Sequence, residues 1–375
     1  MEFYTPPSSS RGISLKNLFL IIGVGLLLIL LWELRGLLVS LMIAVVLTAT
    51  LAPIVNRAEA LRLPRWLAVI VVFLGLISMT VGVILLIGPT VIQQIERLIR
   101  LLPNYLDVLA TTAEDIAVRL GADEPETLAM ITRFFDLQSL TSWAFRSGQQ
   151  VLVRSLGVTR GLVGGVLNLI LALLFSGYML SGAQSLIRGI VQLFPHPWNQ
   201  RIEAQITPAG RRMGSYIQGR ILVSSILAIA VTFGLRLVGV SELALGLGAI
   251  AGITNLIPFF GPVLGSIPAL IVAVAQGGWT FVWVLLLFVI IQNLETYVLD
   301  PLLVGSSVRV SPLYQLLAVL GGAQVLGIVG ALIVPPWVAG ANVFIEKLYI
   351  EPKLAAEAAL VTKPVLESLP SSETR

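Results

Sequence analysis

Apolar runs of about 20 residues recur along the chain, the length an α-helix needs to cross about 30 Å of hydrocarbon. That feature removes most of the folds otherwise open to 375 residues. Leu18 to Leu31, Leu37 to Val55, Trp66 to Ile87, Gly161 to Leu180, Ile221 to Val238 and Trp279 to Val298 each read as a span. Composition agrees: 57% of the residues are hydrophobic and 12% charged, about half the charge share of a soluble domain. The expected fold class is all-α, a polytopic helical membrane protein with about six full spans plus two re-entrant helical hairpins in an inverted repeat.

Charge placement orients these spans. Arg57, Arg62 and Arg65 form a basic loop that the positive-inside rule puts in the cytoplasm, and the amino terminus with it. Arg11 and Lys16 ahead of the first run imitate a signal peptide. Trp32, Glu33, Leu34 and Arg35 follow instead of a small-residue cleavage site, so the run reads as an uncleaved span. From Pro89 to Arg160 charges of both signs return, with Ile92, Ile95, Ile99 and Leu102 at helical spacing, as in an external amphipathic region. Arg188, Arg201, Arg211, Arg212 and Arg220 face only Glu203, which returns the chain to the cytoplasm. The expected organisation is 1–88 for three spans, 89–160 external, 161–220 for a span and cytoplasmic Arg-rich helices, 221–346 as a transport core, and 347–375 as a cytoplasmic tail.

Two segments of that core are too long for one span and carry breakers. Glu242 to Gln276 is interrupted by Ile257-Pro258-Phe259-Phe260-Gly261-Pro262. Arms of about 15 residues reach only about 22 Å, short of the hydrocarbon thickness, so a re-entrant hairpin is expected. Pro312 to Ile345 is interrupted near Gly321-Gly322 and again near Pro335-Pro336, and reads as a second hairpin of opposite orientation.

Asn255-Leu256-Ile257-Pro258-Phe259-Phe260-Gly261-Pro262, then Gln292-Asn293-Leu294-Glu295, Asp300-Pro301 and Pro312, resembles the autoinducer-2 exporter family, the PerM-type permeases. The resemblance covers nearly the whole chain, with its specific motifs in the carboxy-terminal third. It implies a multi-pass permease of the bacterial cytoplasmic (inner) membrane, a homo-oligomer, in a family linked to signal-molecule export and in some members to sodium/proton exchange.

The residues themselves point to one site. Asn255, Pro258, Phe259, Phe260, Gly261 and Pro262 form a hairpin tip whose free carbonyl and N–H groups can hold an ion or polar solute. Gln292, Asn293, Glu295 and Asp300 lie opposite, and an acid inside a membrane is a candidate for proton or sodium coupling. Both acids are expected near the inner end of their span. Arg309 is a candidate gate that would pair with either.

Several chemistries are excluded. There is no cysteine, and His196 is the only histidine, so thiol chemistry and a structural zinc site are out. No glycine precedes a lysine, which removes the phosphate-cradling loop of ATP-driven pumps. The net charge of +4 is spread through loops, unlike a nucleic-acid patch. No cofactor, metal or enzymatic activity is expected. The expected partners are the bilayer, a small polar solute or a monovalent cation or proton, and further copies of the chain. Gradient-driven export of the solute leads, cation/proton antiport is the alternative, and a non-transporting scaffold comes last.

Overall fold

A computed structural model describes residues 15–119, 161–305 and 311–358. Every element among them is helical: α1 (Leu15–Glu33), α2 (Arg35–Ala60), α3 (Arg65–Arg119), α4 (Gly161–Val191), α5 (Trp198–Leu237), α6 (Ala244–Thr254), α7 (Phe260–Gln276), α8 (Thr280–Leu294) and α9 (Pro312–Ile345). A π-helix, Glu295–Gly305, continues α8, and a second, Glu346–Ile350, continues α9. Six helical stretches have the length and apolar composition to cross a membrane: Arg35–Ala60, Arg65–Thr112, Leu167–Val191, Trp198–Leu237, Thr280–Val304 and Pro312–Ala358. Their outer faces carry large apolar side chains in the open, Leu74, Leu85 and Leu86 of α3 among them. With hydrocarbon as the surrounding solvent these faces carry no penalty, and the helical form lets backbone groups bond within their own segment.

Helix association in such a solvent rests on close packing, because lipid tails are as apolar as leucine. Small residues therefore set the contacts. A methyl group added at Gly214 of α5 would strike the Ala49 carbonyl oxygen of α2, and one at Gly340 of α9 would strike Met213. Gly248 and Gly252 seat α6 against Thr232 and Ala228 of α5. The largest core is built around α5, whose Val223, Leu227, Val231 and Leu235 meet Leu247 and Ala251 of α6, Ala269, Val272 and Ala273 of α7, and Val284 and Ile291 of α8. Polar ties add to it: Gln218 donates to the Thr50 carbonyl at 2.6 Å and Thr48 to Ser176 at 3.1 Å.

Three boundaries differ from the sequence expectation. α3 does not stop at Ile87; it runs through Pro89 and Pro103 as one helix of 55 residues, about 80 Å long and well beyond the bilayer. Its far half is packed, not free in water: Leu98 is buried, Gln94 accepts the Gly246 N–H at 2.6 Å, and Arg97 pairs with Glu242 at 2.6 Å. Residues 120–160 of the expected external region lie outside the described residues. α5 is continuous from Trp198 to Leu237, so no helix end separates Arg220 from the following span.

The third difference is the breaker in α9. Gly327 alone departs from helical geometry, at φ 65° and ψ −151°, while Pro335 and Pro336 stay inside the helix. A methyl group at Gly322 would collide with the Gly330 carbonyl, and one at Gly330 with Gly322. Residues eight apart in a straight helix are about 12 Å apart, so the chain reverses at Gly327 and the arms 312–326 and 328–345 lie side by side. α6 and α7 form a comparable pair, joined by 255–259, with Gly261 and Gly265 of α7 pressed on Thr254, Asn255 and Ala251 of α6.

Candidate functional site

The turn between α6 and α7 is shaped by residues with little conformational choice. Phe259 caps α7 at φ 66°, a left-handed conformation in a non-glycine residue that costs about 1–2 kcal/mol. Pro258 before it is buried, while Phe259 itself is 46% exposed. Asn255 ends α6 and is 2% exposed.

Arg220 meets this tip from α5. Its Nη2 donates to Asn255 Oδ1 at 3.3 Å, and its Nη1 donates to Glu295 Oε1 at 3.0 Å. Asn255 Nδ2 donates to the same Glu295 oxygen at 3.0 Å, closing a triangle of three buried side chains. Asp300 Oδ1 lies 3.5 Å from Arg220 Nη1, close enough for an ion pair but without a hydrogen bond. Arg220 Nε and Ser224 Oγ, one helical turn further along α5, are buried without a hydrogen-bond partner. Gly219 makes the approach possible, because any side chain there would enter the backbone of Leu303.

The π-helix explains why one guanidinium reaches two acids five residues apart. At about 100° per residue, positions five apart on an α-helix diverge by about 140°. In a π-helix residue i bonds residue i+5, which stacks such positions on one face. Pro301 lies inside this segment and has no N–H to donate. Within the 25-residue apolar stretch Thr280–Val304, Asp300 stands towards the carboxy-terminal end and Glu295 five residues before it.

Beside the triangle opens a cavity of about 680 Å³. Tyr216 and Arg220 of α5, Pro258, Phe259, Pro262 and Ser266 of the tip and α7, and Phe288, Gln292, Glu295 and Asp300 of the α8 stretch line it. Gln315 of α9 closes one side by donating to the Tyr216 hydroxyl at 3.3 Å. Of the residues singled out in the sequence, Asn255, Pro258, Phe259, Pro262, Gln292, Glu295 and Asp300 thus come together at the triangle or the cavity. Gly261 stands behind them as a packing contact. Phe260 and Asn293 are exposed and are not part of the cavity wall, and the Asn293 amide donates to the Val289 carbonyl. Arg309 lies outside the described residues; among the described residues the arginine that meets both acids is Arg220.

A family model for AI-2E family transporters matches residues 18–350. The chain belongs to that family. Among its relatives, YrrI of Bacillus subtilis (strain 168), provisionally named a transport protein, is 26% identical over 306 residues, 80% of this chain and 82% of its own length. PerM of Escherichia coli (strain K12), provisionally named a permease, is 27% identical over 326 residues, 85% of this chain and 88% of its own. The family is one of membrane transporters and permeases.

Proposed function

We propose that the chain is a gradient-driven permease whose cavity carries a small polar solute outward, a signalling molecule of the autoinducer type being the kind the family name suggests. The observation that carries this reading is the Arg220–Asn255–Glu295 triangle at the wall of an open cavity, inside a bundle whose outside is apolar. Ionisable groups in such a place are expensive and belong on a solute or ion path.

The helix lengths support an arrangement for it. α6 and α7 have 11 and 17 residues, about 16 and 25 Å, each short of the bilayer, so the pair enters and leaves from one side. The fold-back at Gly327 does the same from the other side, and the two pairs form an inverted repeat around a midplane site. The amino terminus lies in the cytoplasm, the membrane is the bacterial inner membrane, and copies of the chain associate. To test transport, liposomes holding the purified protein are loaded with a small-metabolite extract and release is followed by mass spectrometry. Selective release that Glu295→Gln lacks supports the permease; release no faster than from protein-free vesicles removes it.

A second reading, cation/proton antiport, is favoured by Asp300, a carboxylate at the cavity wall that shares its arginine with Glu295. Internal pH under an imposed sodium gradient tests it: a response lost in Asp300→Asn supports it, and a flat trace sinks it.

A further inference from the structure

Charge along the cavity wall is unbalanced. Arg220 is the only cationic side chain among the described residues that line it, and Glu295 and Asp300 are the acids. One guanidinium against two carboxylates leaves one negative charge in excess. Arg220 hydrogen-bonds Glu295 and Asn255 but reaches Asp300 only through a longer ion pair at 3.5 Å, so Asp300 is the less completely neutralised acid. Its side chain is 41% exposed, against 3% for Glu295, and it stands on the cavity wall with Oδ1 buried 3.5 Å from Arg220 Nη1.

The rest of the wall is largely apolar and aromatic. Tyr216, Phe259 and Phe288 line it together with Leu285, Val289 and Val304. Phe259 reaches this place only by adopting a backbone conformation that glycine would adopt freely. Strain held at a half-exposed aromatic that lines the same cavity as a carboxylate points to a use for the ring. A bare metal ion needs a close shell of oxygen ligands, and the described residues contain no group of three or more acids and histidines able to supply it. A volume of about 680 Å³ falls within the usual range of small-molecule sites, roughly 300–1,000 Å³.

From these observations we infer that the cavity recognises an organic cation: an ammonium group set against Asp300, with its apolar substituents against Phe259 and Phe288. Aromatic faces attract ammonium groups through the ring quadrupole, most strongly where water is excluded. Arg220 rejects a second cation and holds Glu295 out of reach, so Asp300 alone serves as counter-ion. This assignment rests on the reading of the cavity as the solute site, and it names that solute's charge class.

The test is equilibrium binding of radiolabelled choline to the full-length protein in detergent, with unlabelled choline or its neutral isostere 3,3-dimethylbutan-1-ol as competitor. Choline is expected to compete at least about tenfold better than the alcohol, the scale of one charge-assisted contact. Asp300→Asn is expected to lose about tenfold in choline affinity, and Asp300→Glu to keep most of it. Phe259→Gly relieves the strained turn, so it stays folded, and is expected to bind choline several-fold more weakly. Equal competition by the alcohol, no choline binding at millimolar concentration, or unchanged affinity in both Asp300→Asn and Phe259→Gly would overturn the assignment. Choline flux into vesicles is the separate arm: binding without flux removes the permease reading and leaves the cation site standing, whereas selective release of neutral metabolites without choline binding does the reverse.

Discussion

Replacing Arg220 by methionine keeps the bulk of the side chain and removes its charge. Glu295 and Asn255, 3% and 2% exposed, would be left facing each other with the carboxylate deprived of its counter-charge. Breaking a buried ion pair from one side costs about 3–5 kcal/mol, most of it the penalty of the orphaned charge. Asp300, at 41% exposure, can turn to the cavity and adds little. Arg220→Met is therefore expected to lower stability by about 3–5 kcal/mol, and the double variant Arg220→Met/Glu295→Gln to recover part of that, since the fully buried carboxylate is gone and only the half-exposed Asp300 is left unpaired. The assay is equilibrium unfolding in mixed micelles with rising sodium dodecyl sulfate, followed by helical circular dichroism. An Arg220→Met variant within about 0.5 kcal/mol of wild type, or a double variant as unstable as the sum of its parts, would refute the reasoning.

Gly261→Ala places a methyl group against the Thr254 carbonyl and Asn255 Cα and is expected to cost about 1–3 kcal/mol in the same unfolding assay, while Gly75→Ala, in open space, leaves the midpoint unchanged. Gly327→Ala forces a side chain into φ 65°, ψ −151° and is expected to cost about 1–3 kcal/mol, read from the unfolding midpoint. Pro301→Ala restores an N–H that permits an α-helical register, which swings Asp300 away from Arg220. Slower solute release with unchanged helix content is the expected outcome, measured by vesicle flux and circular dichroism.

The spans were legible because each apolar run is long, and the tip because Pro258, Phe259, Gly261 and Pro262 break a run that is otherwise helical. Arg220 was not. Counted with the cytoplasmic arginines, it was separated from the following span by a helix boundary that does not exist. The signal was present in the stretch from Met213 to Val238, where Arg220 and Arg236 are the only charged residues, and Arg220 stands far from either end of α5. Glu295 and Asp300 were placed in one site by the sequence, but the π-helical register that lets one arginine meet both was not read; Pro301 was the cue that the register changes. The reversal in α9 falls at Gly327, not at the paired glycines or prolines. A proline can remain in a helix at the loss of one hydrogen bond, whereas only a glycine takes the φ and ψ of that turn freely. Gly322 and Gly330 flank it because the arms touch there.

The central claim is that solute passes through the cavity between the α6–α7 tip and the α8 stretch. Because the chain has no cysteine, Ser266→Cys puts a single reactive thiol on the cavity wall. The decisive measurement is metabolite release from vesicles holding this variant before and after modification with a bulky maleimide, with Gly75→Cys on the lipid-facing side of α3 as the comparison. Release that stops on modification at position 266 and continues after the same treatment at position 75 is the expected result. Release that continues with position 266 fully modified would contradict the account.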